Sequence, residues 1–152
     1  MSGILIDTNL LLLWVVGACD RGLVGRHKRL HGRYDADDFD LLAGLLGRYA
    51  AVCLTPGTLA ECSNLLRQTD PHNRRRLMTQ LAQLVTASPE RHLAAARVVD
   101  TPAFISLGVA DATLAELASA AMPLLTDDLQ LYLAVLARTP DAAVNFSQLR
   151  RF

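Results

Sequence analysis

The 152-residue chain is 51% hydrophobic and carries 15 Lys and Arg against 15 Asp and Glu, so its formal net charge is zero. A mean hydropathy of +0.24 with 20% charged residues argues against a disordered chain, and neutrality excludes nucleic-acid binding through net charge alone, leaving local basic patches. Three cysteines, Cys19, Cys53 and Cys62, with no C-x-x-C pair, speak against a disulfide framework or a zinc site and for a reducing cytoplasm.

The chain opens on a β-branched run, Ile4–Ile6, that suits a buried strand, followed by a leucine-rich stretch from Thr8 to Gly17 that reads as a helix. This start lacks the positive n-region of a signal peptide. Its longest uninterrupted apolar run, Leu10 to Cys19, is too short to span a membrane. Residues 19–34 read as a basic loop with a short helical piece. "DADDFDLLAGLLGRY" reads as a helix with acids in its first turn, where the helix dipole favours them. Ala50–Thr55 forms a second strand, and Pro56 opens the helix "GTLAECSNLLRQ". "HNRRRLMTQLAQLVTA" is a helix; Ser88-Pro89 then opens another over "ERHLAAARVV". "TPAFISL" is a short helix, and "GVADATLAELASAAM" a longer one. Pro123–Thr126 is a third strand, "DDLQLYLAVLAR" a helix and "AAVNF" a last strand. Short apolar strands alternating with helices, without repeat or linker, predict one α/β domain over 1–152, with a parallel sheet covered on both faces.

Sites in such folds lie at the carboxyl ends of the strands. Asp7 follows the first strand directly, and Asp127 and Asp128 follow the third. Glu61 falls at the edge of the apolar stripe Leu59, Cys62, Leu65 and Leu66. Asp111 falls inside the stripe Leu114, Leu117, Ala118, Ala121 and Met122, whereas Glu116 points away as a solvent residue. Each acid also has a plain structural explanation. Asp111, Asp127 or Asp128 can cap a helix, and Glu61 can be solvated. Asp7, in an apolar run, is hardest to explain that way. Four acids converging on one sheet edge would repel each other unless a cation lay between them. Oxygen-only ligands suit Mg²⁺ or Mn²⁺, the equipment of phosphodiester hydrolysis.

"ILIDTN", "LTPGTLAECSNLL", "GVADATLAEL" and "LLTDD" together resemble the PIN-domain ribonucleases, which include the toxins of many prokaryotic toxin–antitoxin pairs. The resemblance runs from Ile4 to about Phe146 and rests on order and spacing more than on any one motif. It implies a three-layer α/β/α sandwich around a short parallel sheet, and Mg²⁺- or Mn²⁺-dependent cleavage of single-stranded or looped RNA. It also implies an antitoxin partner and leaves room for a homodimer. Carried over position by position, Asp7, Glu61, Asp111 and Asp128 match the family's acids. Thr126 stands with Asp128 in its "T-x-D", and Thr8 and Asn9 in its "D-T-N", where Asn9 would orient Asp7 or a metal-bound water. Gln130 occupies a place where the family often has another acid, and Asp127 is the nearby substitute as a metal ligand.

For the RNA side, Arg21, Arg26, Lys28, Arg29 and Arg33 form one basic run, with His27 and His31 among them, and Arg74, Arg75 and Arg76 a second. Either suits phosphate contacts, or a solvated face balanced by Asp35, Asp37, Asp38 and Asp40. The histidines show no ligand spacing. Tyr34 is a candidate for stacking on bases, while Trp14 reads as core. Two other functions compete: a catalytically degenerate PIN-like binding module, and an aspartate-nucleophile phosphohydrolase of haloacid-dehalogenase type. The latter wants an Asp where this chain has Asn9.

Overall fold

The computed structural model describes residues 2–150. Its centre is a sheet of very short strands: β1 (Ile4–Ile6), β2 (Val52–Cys53), β3 (Leu124–Thr126) and β4 (Ala143–Asn145). They pair in parallel in the order β2-β1-β3-β4. Because successive side chains in a strand point to opposite faces, the three residues of β1 feed two cores. Ile4 and Ile6 join Val52, Leu54 and Leu125 on one face; Leu5 joins Cys53 and Leu124 on the other.

The first face is covered by α1 (Thr8–Cys19), α2 (Ala36–Leu46), α3 (Pro56–Leu66) and α4 (Pro71–Ala87). The second is covered by α6 (Phe104–Leu117) and α7 (Leu129–Arg138). Short helices α5 (Ala95–Val98) and α8 (Phe146–Leu149) complete the chain, and Phe146 reaches into the first core. The expected parallel sheet with helices on both faces is therefore present. Among the described residues, no helix is long and apolar enough to cross a membrane.

α1 packs against α2, α3 and α4, and is apolar nearly all round because those neighbours surround it. It meets α2 at Gly17, where a Cβ would lie only 2.0 Å from Cδ1 of Phe39. Gly44 in α2 has open space at the same position. Replacing glycine by alanine inside a helix stabilises by roughly 1 kcal/mol where there is room, whereas overpacking costs about 1–3 kcal/mol. The expected result in urea unfolding is that Gly44→Ala raises the midpoint and Gly17→Ala lowers it.

Two segments differ from the sequence expectation. Residues 89–94 do not continue into a helix. Leu54 N–H donates to the Pro89 carbonyl (3.0 Å) and Arg91 N–H to the Leu54 carbonyl (2.9 Å), so this stretch seals the edge of β2 and only Ala95–Val98 is helical. The two helices expected on either side of Gly108 are both present within α6, separated by Gly108 at φ +82°. α6 then ends at Leu117, short of Met122. Ser119 turns the chain instead, its N–H donating to the Met122 carbonyl (3.1 Å) and its hydroxyl accepting from Met122 N–H (3.0 Å).

Candidate active site

β1 is followed in sequence by β2 on one side of it in the sheet, yet its other neighbour is β3. Chain connections diverge at such a switch point and leave a crevice at the carboxyl ends of the two strands. Asp7 stands immediately after β1, and Asp127 and Asp128 immediately after β3.

Asp7 is buried, with 4% exposure. One carboxylate oxygen accepts from Leu10 N–H (3.1 Å) and so caps α1; the other accepts from the Thr126 hydroxyl. That same hydroxyl oxygen accepts from Asp128 N–H (3.0 Å). Thr126 thus ties the end of β1 to the end of β3 through one atom. Asp128 caps α7 by accepting from Leu131 N–H (3.1 Å).

Glu61 is an exposed residue of α3 that accepts from the Thr8 hydroxyl (3.0 Å). One turn earlier, Gly57 lets α3 approach α6: a Cβ there would meet Cα and Cβ of Ala110 at 3.2 Å. The next residue, Asp111, is half-buried and lies in the first turn after the Gly108 break. Asp7, Glu61, Asp111 and Asp128 line one cleft of about 370 Å³, together with Thr8, Asn9, Asn64 and Leu65.

Burial pushes Asp7 up to about 7; the Thr126 hydrogen bond opposes this, and the charges of Asp127 and Asp111 add to it. Burial raises Asp111 to about 6, helped by Glu61 and Asp128. Among the described residues, no Lys, Arg or His forms an ion pair with any of the four cleft acids. Nor does any group of three or more His, Cys, Asp or Glu side chains among them converge as a ready metal cage. The acids share a cleft without closing on a point. Such a donor set, oxygen-only and uncompensated, fits a hard cation that binds one or two carboxylates and keeps several waters.

Asp127 faces elsewhere. It accepts from the Tyr34 hydroxyl and is raised by burial, an effect opposed by the charges of Arg33 and Arg150. Tyr34 is 5% exposed, with the Arg150 guanidinium 4.9 Å from its ring centroid and that of Arg33 at 5.7 Å, so the expected base-stacking role is corrected to a structural one. Trp14 packs against the first core. Glu116 is also corrected. Its side chain is only 16% exposed and pairs with Arg138 (2.7 Å) and Arg97 (3.5 Å), fastening α6 to α7 and α5.

The two basic runs separate. Arg74 donates to the Arg67 and Thr69 carbonyls, and Arg76 to Asn73 and Asp20, so neither side chain is idle. Arg21 is held by Asp40 (2.6 Å) and Asp37 (3.5 Å). Arg26, Lys28, Arg29, Arg33 and Arg75 are exposed. His27 is buried, between the Leu66 carbonyl and Arg29 N–H. Asn64 and Leu65 escaped the sequence reading as cleft residues. Their spacing of three and four from Glu61 was the available signal, since such neighbours share a helix face. Comparison with protein-family models, characterised proteins and solved structures finds no match to the chain.

Proposed function

We propose that this chain is a PIN-like, Mg²⁺- or Mn²⁺-dependent endoribonuclease. The observation that carries the reading is the convergence of Asp7, Glu61, Asp111 and Asp128, from four separate segments, on one cleft at the switch point of a parallel sheet, with no ion pair to any of them among the described residues. A cation held by Asp7, Asp111 and Asp128 would supply charge neutralisation and an activated water for phosphodiester hydrolysis. Asp7 is fixed for this by Leu10 N–H and the Thr126 hydroxyl, and Asp128 by its cap on α7. Glu61 is held by Thr8 and remains exposed to the cleft. With Asp7 raised to about 7 and Asp111 to about 6, a cation entering the cleft competes with a proton on Asp7 near neutral pH and on Asp111 only below it. Exposed Arg26, Lys28, Arg29 and Arg33 would attract the RNA backbone without reading its sequence.

The test is cleavage of a mixed-sequence single-stranded RNA with Mn²⁺, with Mg²⁺ and with EDTA. Cleavage should require the cation and fall on the order of 10²–10³-fold in Asp111→Asn, comparable to removing a stabilising charge from a preorganised site. Cleavage that persists in EDTA sinks the proposal.

That no three His, Cys, Asp or Glu side chains among the described residues converge on a point favours a second reading, a PIN-like module that binds RNA without cutting it. Calorimetry separates the two: the folded protein should take up Mn²⁺ if it is the nuclease and should not if it is the degenerate module.

A further inference from the structure

Besides its acids the cleft is lined by the uncharged residues Thr8, Asn9, Asn64 and Leu65. Thr8 is engaged by Glu61, and Asn9 lies in the first turn of α1. Asn64 and Leu65 have no place in the phosphate chemistry. They stand three and four residues after Glu61, so they continue its face of α3 by one turn, about 5.4 Å along the helix. Asn64 is exposed on the cleft wall. Leu65 is half-buried, packed against the first core and also lining the cleft.

The chemistry of this pair is distinctive. A carboxamide presents a donor and an acceptor side by side in one plane, whereas a phosphate offers only acceptors, which leaves half of the amide unmatched. A nucleobase edge matches both halves, and a base splayed from a single strand presents such an edge together with a flat face that needs apolar cover. The adenine N6 donor and N7 acceptor are the established complement of an Asn side chain. Cationic side chains supply attraction but carry no base identity.

We propose that Asn64 and Leu65 form a nucleobase seat beside the acids of the cleft, Asn64 pairing with the edge of an adenine and Leu65 covering its face. This inference rests on the reading of the cleft as an RNA site. It makes the base next to the cut the point of specificity, and places that choice on the helix that carries Glu61.

The experiment separates the seat from the nuclease reading. In the Asp7→Asn background, in which turnover is slowed, fluorescence anisotropy measures binding of short labelled oligoribonucleotides of A, C, G and U at one fixed salt concentration. The expected result is roughly tenfold tighter binding of oligo(A) than of oligo(C) or oligo(U), a preference that collapses to within about twofold in Asp7→Asn/Asn64→Ala. Circular dichroism verifies that the double variant is folded. In parallel, the ends left by the unaltered protein on mixed-sequence RNA should lie beside adenines, and Asn64→Ala should flatten that distribution. A preference that survives Asn64→Ala, or one that is absent from Asp7→Asn, overturns the seat. A preference without cleavage by the unaltered protein overturns the nuclease reading and leaves the seat standing. No binding to any of the four overturns both.

Discussion

Asp7→Asn is expected to lower cation-dependent RNA cleavage on the order of 10²–10³-fold while making the metal-free protein more stable at pH 8. The two effects have one cause. Asp7 is buried and bears no compensating charge, so the folded protein favours its neutral form, with a pKa of about 7 against the ordinary 3.8. Ionising it at pH 8 therefore costs stability on the order of 4 kcal/mol, which a neutral carboxamide of the same shape avoids. Asparagine is as good an N-cap as aspartate, so the start of α1 survives. Urea unfolding in EDTA reads the stability and a labelled RNA reads the cleavage. A variant that loses stability, or one that cuts at the normal rate, contradicts this assignment of Asp7.

The second expectation concerns pH. Below about 4, Asp7 is protonated in both folded and unfolded chains and contributes nothing to the difference. Between the unfolded value of 3.8 and the folded value of about 7, the folded state holds a proton that the unfolded state has released. Stability must fall as pH rises through that window and level off above it. Asp111 acts with the same sign up to about 6. Asp20, Asp40 and Asp70, lowered by their hydrogen-bonding partners, act in the opposite sense only below the ordinary 3.8, while His27, lowered by burial, opposes Asp7 up to its ordinary 6.5 without outweighing the larger shift of Asp7. The metal-free protein should thus have a higher Tm at pH 5 than at pH 8. Added Mn²⁺ should raise the Tm at pH 8 and do little at pH 5, where protons occupy its place. A Tm in EDTA that climbs from pH 5 to pH 8 would be the contrary result.

Much of this arrangement is visible in the chain itself. Strand-length apolar runs bounded by Asp7 and Asp128, and the inward lean of Asp111, follow from local pattern, and the sheet delivers those residues to one cleft. What local pattern misses is long-range. Nothing within residues 89–94 announces that their backbone will seal β2 at Leu54. The helical wheel puts Glu116 outward, and it does leave the apolar core, but only to meet Arg138 and Arg97. Asp127 and Asp128 are adjacent in sequence, and only the fold gives one to Tyr34 and the other to the cleft. The wheel drawn from Gly108 onwards also runs to Met122, whereas the helix stops at Leu117 and Ser119 turns the chain.

The hydrogen bond from Thr126 to Asp7 spans 119 residues. β1 leaves the ribosome well before its neighbour β3, which is made only after more than a hundred further residues. Sheets built from such distant pairings complete late. A nascent chain therefore carries Asp7 with no cleft around it, next to the very kind of polymer it is proposed to cut. Synthesis order alone keeps the site disassembled until residues 124–128 have emerged.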